Sequence, residues 1–497
     1  MTRRQQTTLA AAILGSGIAT VDGTVVNVAL PAIERDLGGG LRAQEWVANA
    51  YLLALGSLML IGGSLGDIHG ARRVFALGAG TFGLFSVACA LAPTTETLIA
   101  ARGLQGAAGA LLVPSSLAVI VAAFPAEQRA AAIGAWTAWG AIAWLVGPLA
   151  GGLIVDALSW RWTFAINLPL VALTLLLVRA AIAPTTRDAA RRVDYLGAFL
   201  CALGLGGVVF ALIEQPRFGW SSTAILVPLV GGGFVFAAFL AYERRVTQPM
   251  LKLGLFARRN FAVGNLATLT LYAGQAIFSF FLSIFLQQVA GYSALGAGLA
   301  TFPVTLSMLL LSRRFGALAD RHGPRLFAGA GPLIATIGLL LLLRTGIDTA
   351  YVADLLPGVV LFALGWSTTI APLTAAVLAD ADETHAGIAS AINNAVARVA
   401  GLVGISAVGI IVASTLVGDG FSTNDESVHA FHQVVLICAS LVAAAGVAAI
   451  VAIRNPDRAI GSERCSGGQL YGVPEPAVEL ARPHMTTTAE HTPQDAS

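Results

Sequence analysis

Three charged side chains stand inside long apolar stretches of the chain, and they are Asp22, Arg102 and Arg398. Asp22 lies roughly 13 Å of helix from the nearer end of its stretch. A carboxylate at that depth in an apolar medium costs several kcal/mol unless it is paired or protonated, so its default role is to carry a proton or to hold a cation. The alternative is a polar packing contact with Asn27 or Thr24.

Arg102 lies at a depth comparable with that of Asp22, roughly 7 to 10 Å from the end of its own stretch. The two side chains could therefore form an ion pair or share a water molecule, and a nearby guanidinium changes how readily a carboxyl group holds its proton. We predict that Asp22 and Arg102 form a proton-coupling site. For Arg102 and Arg398 alike, the alternative is a side chain that extends to the nearest lipid headgroups.

Other polar and aromatic side chains in the apolar stretches are candidates to line a cavity for a small molecule. Two adjacent asparagines precede Arg398, and three tryptophans follow one another along the stretch 130–155. These tryptophans could line a lipophilic pocket, although aromatic residues of membrane proteins also face lipid. The predicted cavity residues are Asn27, Gln105, Trp139, Gln275, Asn393, Asn394 and Arg398.

A glycine and proline motif interrupts the stretch 130–155, at Gly147, Pro148, Gly151 and Gly152. Proline removes one backbone hydrogen bond of a helix, and glycines four residues apart let a neighbouring helix approach closely. The motif predicts a bendable, tightly packed seam. A plain kink is the alternative.

Two polar breaks repeat one another. Six residues of the first break recur 253 positions later in the second. They are Gly63, Leu65, Asp67, His69, Gly70 and Arg72, which match Gly316, Leu318, Asp320, His322, Gly323 and Arg325. Each break places a carboxylate at the end of one helix and an arginine at the start of the next. We interpret them as ion-pair latches that hold two halves together in one state and open in the other. The predicted gating residues are Asp67, Arg72, Arg73, Asp320, Arg321 and Arg325. A basic loop that only sets topology is the alternative.

Enzyme chemistry is absent from these patterns. Lys252 is the only lysine and lies in Met-Leu-Lys-Leu, so the chain has no phosphate-binding loop of the ATPase kind. The run Gly62 to Gly66 matches a hydrolase nucleophile elbow in letters, but it ends an apolar helix and lacks the strand-turn-helix context. The four cysteines have no paired spacing. We expect no enzyme activity, no catalytic residues, no metal, and no cofactor besides a proton gradient.

Membrane-spanning helices must position all of these residues. Of 497 residues, 56% are hydrophobic and 11% are charged, whereas about 25% are charged in soluble domains. Fourteen apolar runs separated by short polar breaks are long enough to cross a bilayer. In lipid each run must be a helix, because no water is present to satisfy its backbone. The net charge of +2 gives no reason to expect a nucleic-acid partner.

The basic residues fix the predicted orientation. With the N-terminus placed inside, 22 of them fall on the inner side and 5 on the outer side. The positive-inside rule then puts both termini in the cytoplasm of a multi-pass protein of the cell inner (plasma) membrane.

The repeat also divides the chain. Its offset of 253 residues spans eight helices, whereas each homologous half has six, so helices seven and eight are an inserted pair that we expect at the periphery. The predicted parts are a six-helix bundle over 1–182, an insertion with basic flanking loops over 183–257, a second six-helix bundle over 258–453, and a disordered cytoplasmic tail over 454–497.

Together these motifs resemble the 14-span EmrB/QacA-type drug:proton antiporters of the major facilitator superfamily. The resemblance runs from about residue 8 to about residue 453. It is carried by the segment Asp22 to Pro31, the loop Gly63 to Arg73, Leu98 with Arg102, Gln105 and Gly106, the segment Gly147 to Gly152, and Trp160, Arg161, Trp162, Phe164, Asn167 and Pro169.

The resemblance implies roles for residues of this chain. Asp22 would be the aspartate of the first helix, and Arg102 the proton-coupling arginine of the fourth. The antiporter motif would be Gly147, Pro148, Gly151 and Gly152, and Asp67 with Arg72 and Arg73 would be the loop latch.

The expected function is export of lipophilic or weakly cationic small molecules, driven by proton entry and alternating access. The expected partners are small-molecule substrates, protons and the lipid bilayer. Three alternatives stay open at this point: a dedicated exporter of one endogenous metabolite or antibiotic, a lipid flippase, and a membrane scaffold or sensor without transport.

Overall fold

The fold was analysed in a computed structural model, which describes residues 1–182, 193–247, 249–379, 386–416, 418 and 420–455. Most of the predicted tail and the loop 183–192 lie outside these ranges. The described part is helical almost throughout, as predicted. Its α-helices are α1 (Arg3–Leu37), α2 (Gly40–His69), α3 (Ala71–Ala90), α4 (Thr95–Ala123), α5 (Ala126–Ala157), α6 (Trp162–Ala165), α7 (Asn167–Ala181), α8 (Tyr195–Phe218), α9 (Thr223–Glu243), α10 (Arg259–Gln288), α11 (Ala294–Ala300), α12 (Phe302–His322), α13 (Pro324–Leu341), α14 (Leu356–Ala379), α15 (Ala386–Thr415) and α16 (Asp425–Ala452).

Twelve helical stretches within the described residues are long and apolar enough to cross a membrane. Two further helices, α2 and α5, have 30 and 32 residues and pack among them. Short interruptions divide some stretches, so that α6 with α7 and α11 with α12 each count as one.

The helices form two bundles, α1–α7 and α10–α16. Helices α1 and α10 run parallel, since Ser283 and Gln287 of α10 donate to the Asn27 and Val28 carbonyls of α1 at 3.2 and 3.0 Å. The end of α16 lies at the start of α10, where Arg259 Nε donates to the Ala452 carbonyl at 2.9 Å. The start of α1 and the end of α16 therefore lie at one end of the molecule. We call this the terminal end and the opposite one the far end.

Contacts between the bundles cluster toward the far end. The carboxylate of Asp156, in the last turn of α5, accepts hydrogen bonds from the backbone N–H groups of Ala294 and Leu295 at 3.0 and 2.9 Å. A β-carbon at Gly298 would lie 2.5 Å from the Pro148 carbonyl oxygen, so α11 and α5 touch backbone to backbone. The far end is therefore closed in this conformation.

A second contact between the bundles joins α2 to α15, which pack antiparallel. Asn49 Nδ2 donates to Ser406 Oγ at 3.0 Å. Further along, a β-carbon at Gly56 would lie 3.7 Å from Arg398 Cβ. We call this line of contact the α2–α15 seam.

The inserted hairpin α8–α9 covers this seam, because α8 packs on both α2 and α15. Arg42 and Trp46 of α2 donate to the Glu214 carboxylate of α8 at 3.0 and 2.8 Å. Helix α8 thus contacts both bundles, and the peripheral position expected for the inserted pair stays a prediction. Helix α9 packs on α8 and is mostly exposed.

The repeated loops owe their glycines to backbone geometry. Gly70, between α2 and α3, has φ 90°, and Gly323, between α12 and α13, has φ 86°. Other residue types rarely adopt positive φ. Glycine at the same place in both halves thus allows the same tight turn.

Candidate functional site: a buried ion pair between α1 and α4

Asp22 lies in the middle of α1 with its side chain removed from solvent (0% exposed). Arg102 Nη1 donates to its Oδ2 at 2.5 Å. Its Oδ1 accepts from Gln105 Nε2 at 2.9 Å and from Asn167 Nδ2 at 2.8 Å. Three hydrogen bonds from two other helices, α4 and α7, thus converge on one carboxylate. The sequence-based expectation that Asp22 and Arg102 pair is confirmed.

Arg102 is enclosed as completely as its partner, at 1% exposure. Its Nε donates to the Val47 carbonyl of α2 at 3.2 Å, and its Nη1 donates to Gln105 Oε1 at 2.7 Å. The guanidinium carbon also lies 4.2 Å from the centre of the Tyr51 ring. Arg102 therefore does not extend to lipid headgroups, which was the alternative interpretation.

Ser86 of α3 contacts the two amide side chains, Gln105 and Asn167, that bind Asp22. Its Oγ accepts from Gln105 Nε2 at 2.9 Å and from Asn167 Nδ2 at 3.2 Å, and its hydroxyl donates to the Phe82 carbonyl at 2.8 Å. We call Asp22, Arg102, Gln105, Asn167 and Ser86 the Asp22 cluster. From the sequence, no role was predicted for Asn167 or Ser86.

Asp22 and Arg102 form a buried ion pair that joins α1 to α4, and two amide side chains complete the hydrogen bonds of the carboxylate. A charge without a partner is costly in this apolar surrounding, so a separation of α1 from α4 would leave both charged groups in need of new partners. A role of Asp22 in carrying a proton stays a prediction.

The simple packing role for Asp22 does not match the structure. The Thr24 hydroxyl donates to the Thr20 and Val21 carbonyls of its own helix. Asn27 contacts α10 through its backbone carbonyl. The polar partners of Asp22 lie on α4 and α7 instead.

Two predicted cavity residues are packing residues in the structure. Gln105 is fully buried inside the Asp22 cluster. Asn393 is buried between α15 and α10, where its Nδ2 donates to Asn265 Oδ1 and Thr268 Oγ1, both at 3.0 Å. A polar residue in an apolar stretch satisfies its amide within the bundle in both cases, so neither residue lines an open wall.

The other predicted cavity residues are less buried. Gln275 Nε2 donates to Ser279 Oγ at 2.9 Å, and Asn394 Nδ2 donates to the Ser390 carbonyl at 3.0 Å. Arg398 is half-buried at the α2–α15 seam, and Trp139 is exposed. The structure does not bring them together with the Asp22 cluster, and their role in a cavity stays a prediction.

The glycines of α5 face two different neighbours. A β-carbon at Gly151 would lie 3.0 Å from the Val25 carbonyl oxygen of α1, and one at Gly147 would overlap Thr24. A β-carbon at Gly152 would lie 2.5 Å from Leu295 Cα of α11. The close packing between the bundles thus depends on Gly152 and Pro148, whereas Gly147 and Gly151 pack α5 within its own bundle.

We expect Gly152→Leu to lower transport at least about tenfold, because the side chain would force α5 and α11 apart at the far end. Gly134→Leu is the matched control on the same helix, since a β-carbon at Gly134 meets nothing within 4 Å. Both variants would be compared in membrane vesicles at equal protein levels. Wild-type transport by Gly152→Leu would contradict this interpretation of the glycine motif.

The predicted loop latches are described only in part. The side chain of Asp67 lies outside the described set. Arg325 Nε donates to the Ile450 carbonyl at 2.6 Å, and its backbone N–H donates to Asn455 Oδ1 at 3.1 Å. Arg325 thus ties α13 to the end of α16 inside one bundle. Arg73 and Arg321 are exposed. A latch between the halves stays a prediction.

Comparison with known proteins identifies the family of this chain. The sequence model described as Major Facilitator Superfamily matches residues 12–405. Multidrug resistance protein Stp of Mycobacterium tuberculosis (strain CDC 1551 / Oshkosh) is 34% identical over 417 residues, which cover 84% of this chain and 77% of that protein. Puromycin resistance protein pur8 of Streptomyces alboniger is 35% identical over 451 residues, which cover 88% of this chain and 89% of that protein.

A solved structure shares the fold. The peptide transporter POT in complex with sulfate superposes with a TM-score of 0.62 at 15% identity, over 89% of this chain and 93% of that one. At that identity the likeness concerns the fold alone. The family match, by contrast, extends over most of the chain and includes the Asp22 cluster. This chain belongs to the Major Facilitator Superfamily.

Proposed function

We propose that this protein is a proton-coupled antiporter of the 14-span EmrB/QacA type, which exports lipophilic or weakly cationic small molecules by alternating access. The observation that carries the proposal is the buried pair of Asp22 and Arg102. A membrane scaffold has no need of a charged pair in its core, whereas a carrier needs a group that binds a proton on one side and releases it on the other.

The topology of the proposal adds α2 and α5 to the twelve candidate spans. Fourteen crossings bring the chain back to the side where it began, in keeping with the shared terminal end of α1 and α16. The excess of basic residues supports a cytoplasmic terminal end in the inner (plasma) membrane. The far end would then face the outside of the cell.

Proton entry supplies enough energy for this function. One proton that crosses about 150 mV releases roughly 3.5 kcal/mol, which sustains a concentration gradient of a few hundred-fold. In the proposed cycle, opening of the far end releases the substrate and lets a proton reach the carrier. After the far end closes, the carrier releases this proton toward the cytoplasm.

A second candidate is a dedicated exporter of one compound that the same cell makes. It is favoured by relatives named for one compound, such as the cephamycin export protein CmcT of Amycolatopsis lactamdurans, which is 34% identical over 423 residues. The range of accepted substrates separates the two candidates, because a multidrug carrier accepts chemically unrelated compounds.

The test is a transport screen in everted membrane vesicles that hold an acidic lumen. We expect lipophilic cations and neutral drugs to release protons from the lumen when they are added. Vesicles without the protein give the background. A panel of such compounds that moves no protons above this background would contradict antiport.

A further inference from the structure

Glu45 is a buried carboxyl group on the closed far end. It lies in the second turn of α2, is 3% exposed, and its Oε1 has no hydrogen-bond partner. A β-carbon placed on Gly409 of α15 would overlap that oxygen, so the carboxyl group rests directly on the backbone of the other bundle. Glycine at position 409 is what leaves room for it.

The cation nearest to Glu45 along the chain is already engaged. Arg42, one turn earlier on α2, donates to the Glu214 carboxylate of α8 at 3.0 and 3.2 Å. Trp46 Nε1 donates to the same carboxylate at 2.8 Å. Arg42 is therefore engaged by Glu214 and does not pair with Glu45.

Within the described residues, no side chain of the other helices that pack on α2 forms an ion pair with Glu45. Arg35 of α1 donates to the Pro31 carbonyl of its own helix at 3.3 Å. Arg102 of α4 is paired with Asp22 of α1. Arg398 of α15 lies beside Gly56, which is about three helical turns from Glu45. A charged Glu45, at 3% exposure and without a paired cation among the described residues, would therefore be costly, whereas the neutral acid fits the same space.

We propose that Glu45 is a second proton-binding group of this transporter, protonated while the bundles meet at the far end and ionised when they part. When α15 moves away from α2, water reaches the carboxyl group and its charged form becomes favourable. A proton taken up from the far side therefore favours closure, and loss of that proton favours opening. The inference rests on the proposed function, since it takes the far end to open during transport.

Helix α2 links Glu45 to the Asp22 cluster. Val47, two residues after Glu45, offers its carbonyl to Arg102 Nε at 3.2 Å. A shift of α2 on opening therefore acts on both sites. The two acids would take up protons in the same half of the cycle.

The test measures the far-end distance directly. Spin labels at Leu91, after α3, and at Val352, before α14, would sit on opposite bundles at exposed far-end positions. The distance between the two labels would be measured by pulsed electron paramagnetic resonance. The sample would be purified protein in lipid nanodiscs, between pH 5 and pH 8, in an Asp22→Asn background. We expect the ratio of open to closed protein to rise with pH, by at most about tenfold per pH unit for one proton.

Glu45→Gln should keep the far end closed at every pH, because glutamine imitates the protonated acid. Glu96→Gln, which changes an exposed carboxyl group at the same end, should keep the pH response.

A pH response that survives Glu45→Gln would overturn the inference. A Glu45→Gln protein that reproduces the closed distance of the parent at pH 5 is folded. These distances require no substrate and no transport. A protein that shows the Glu45-dependent response but no proton release in vesicles would count against the proposed antiport alone.

Discussion

Asp22→Asn is expected to abolish proton-driven efflux, to the level of vesicles that lack the protein, while the variant still inserts. Asparagine can still accept hydrogen bonds from Gln105 and Asn167 through its oxygen, so the packing of the cluster changes little. It cannot bind or release a proton, and it leaves Arg102 as an uncompensated buried charge. Breaking a buried pair in this way typically costs about 3 to 5 kcal/mol of stability. Efflux would be measured against pH from 6 to 8.

Two controls separate loss of coupling from loss of folding. The double variant Asp22→Asn with Arg102→Gln removes both charges, so it should regain stability relative to Asp22→Asn and still fail to couple. Asp36→Asn changes a half-exposed carboxylate on the same helix, and it should keep transport. Wild-type efflux by Asp22→Asn across this pH range would move the proton site elsewhere, with Arg398 and its polar neighbours examined next.

Arg102→Ala is expected to slow transport at least about tenfold and to change its pH dependence. Without the guanidinium, the Asp22 carboxylate loses its charged partner, and the hydrogen bonds that Arg102 donates to Val47, Asp22 and Gln105 are lost. The measurement is the efflux rate of the variant and of the wild type over the same pH series.

Arg161→Ala is the matched control for Arg102→Ala, because Arg161 pairs with Asp36 where both side chains are partly exposed. Exposed pairs contribute little, so its pH profile should match that of the wild type. An unchanged profile for Arg102→Ala would mean that Arg102 does not set the proton affinity of the carrier.

The sequence predicted most of the helices, because lipid permits one solution for a long apolar run. The run at 74–92 corresponds to α3 (Ala71–Ala90), and the run at 98–124 corresponds to α4 (Thr95–Ala123). It also predicted the pair of Asp22 and Arg102, since two opposite charges at one depth have few other partners. These inferences needed only polarity and distance along a helix.

Glu45 could not be found by the same reasoning, because it lies at the predicted edge of a span. Three successive glycines, Gly38, Gly39 and Gly40, have positive φ and reverse the chain directly after α1. Helix α2 therefore begins at Gly40 and carries Glu45 inside the protein. Ser86 was missed for another reason: a serine is unremarkable in an apolar run until the fold places two amides beside it.

The position of the hairpin α8–α9 affects how lipophilic compounds in the bilayer reach the two bundles. The two bundles meet along two lines of contact, α2 with α15 and α5 with α11 and α12. Helix α8 packs over the first line and is held there by the hydrogen bond from Arg42 to Glu214. A lipophilic compound in the bilayer therefore meets α8 before it meets the α2–α15 seam, so entry from lipid at that seam would require α8 to move.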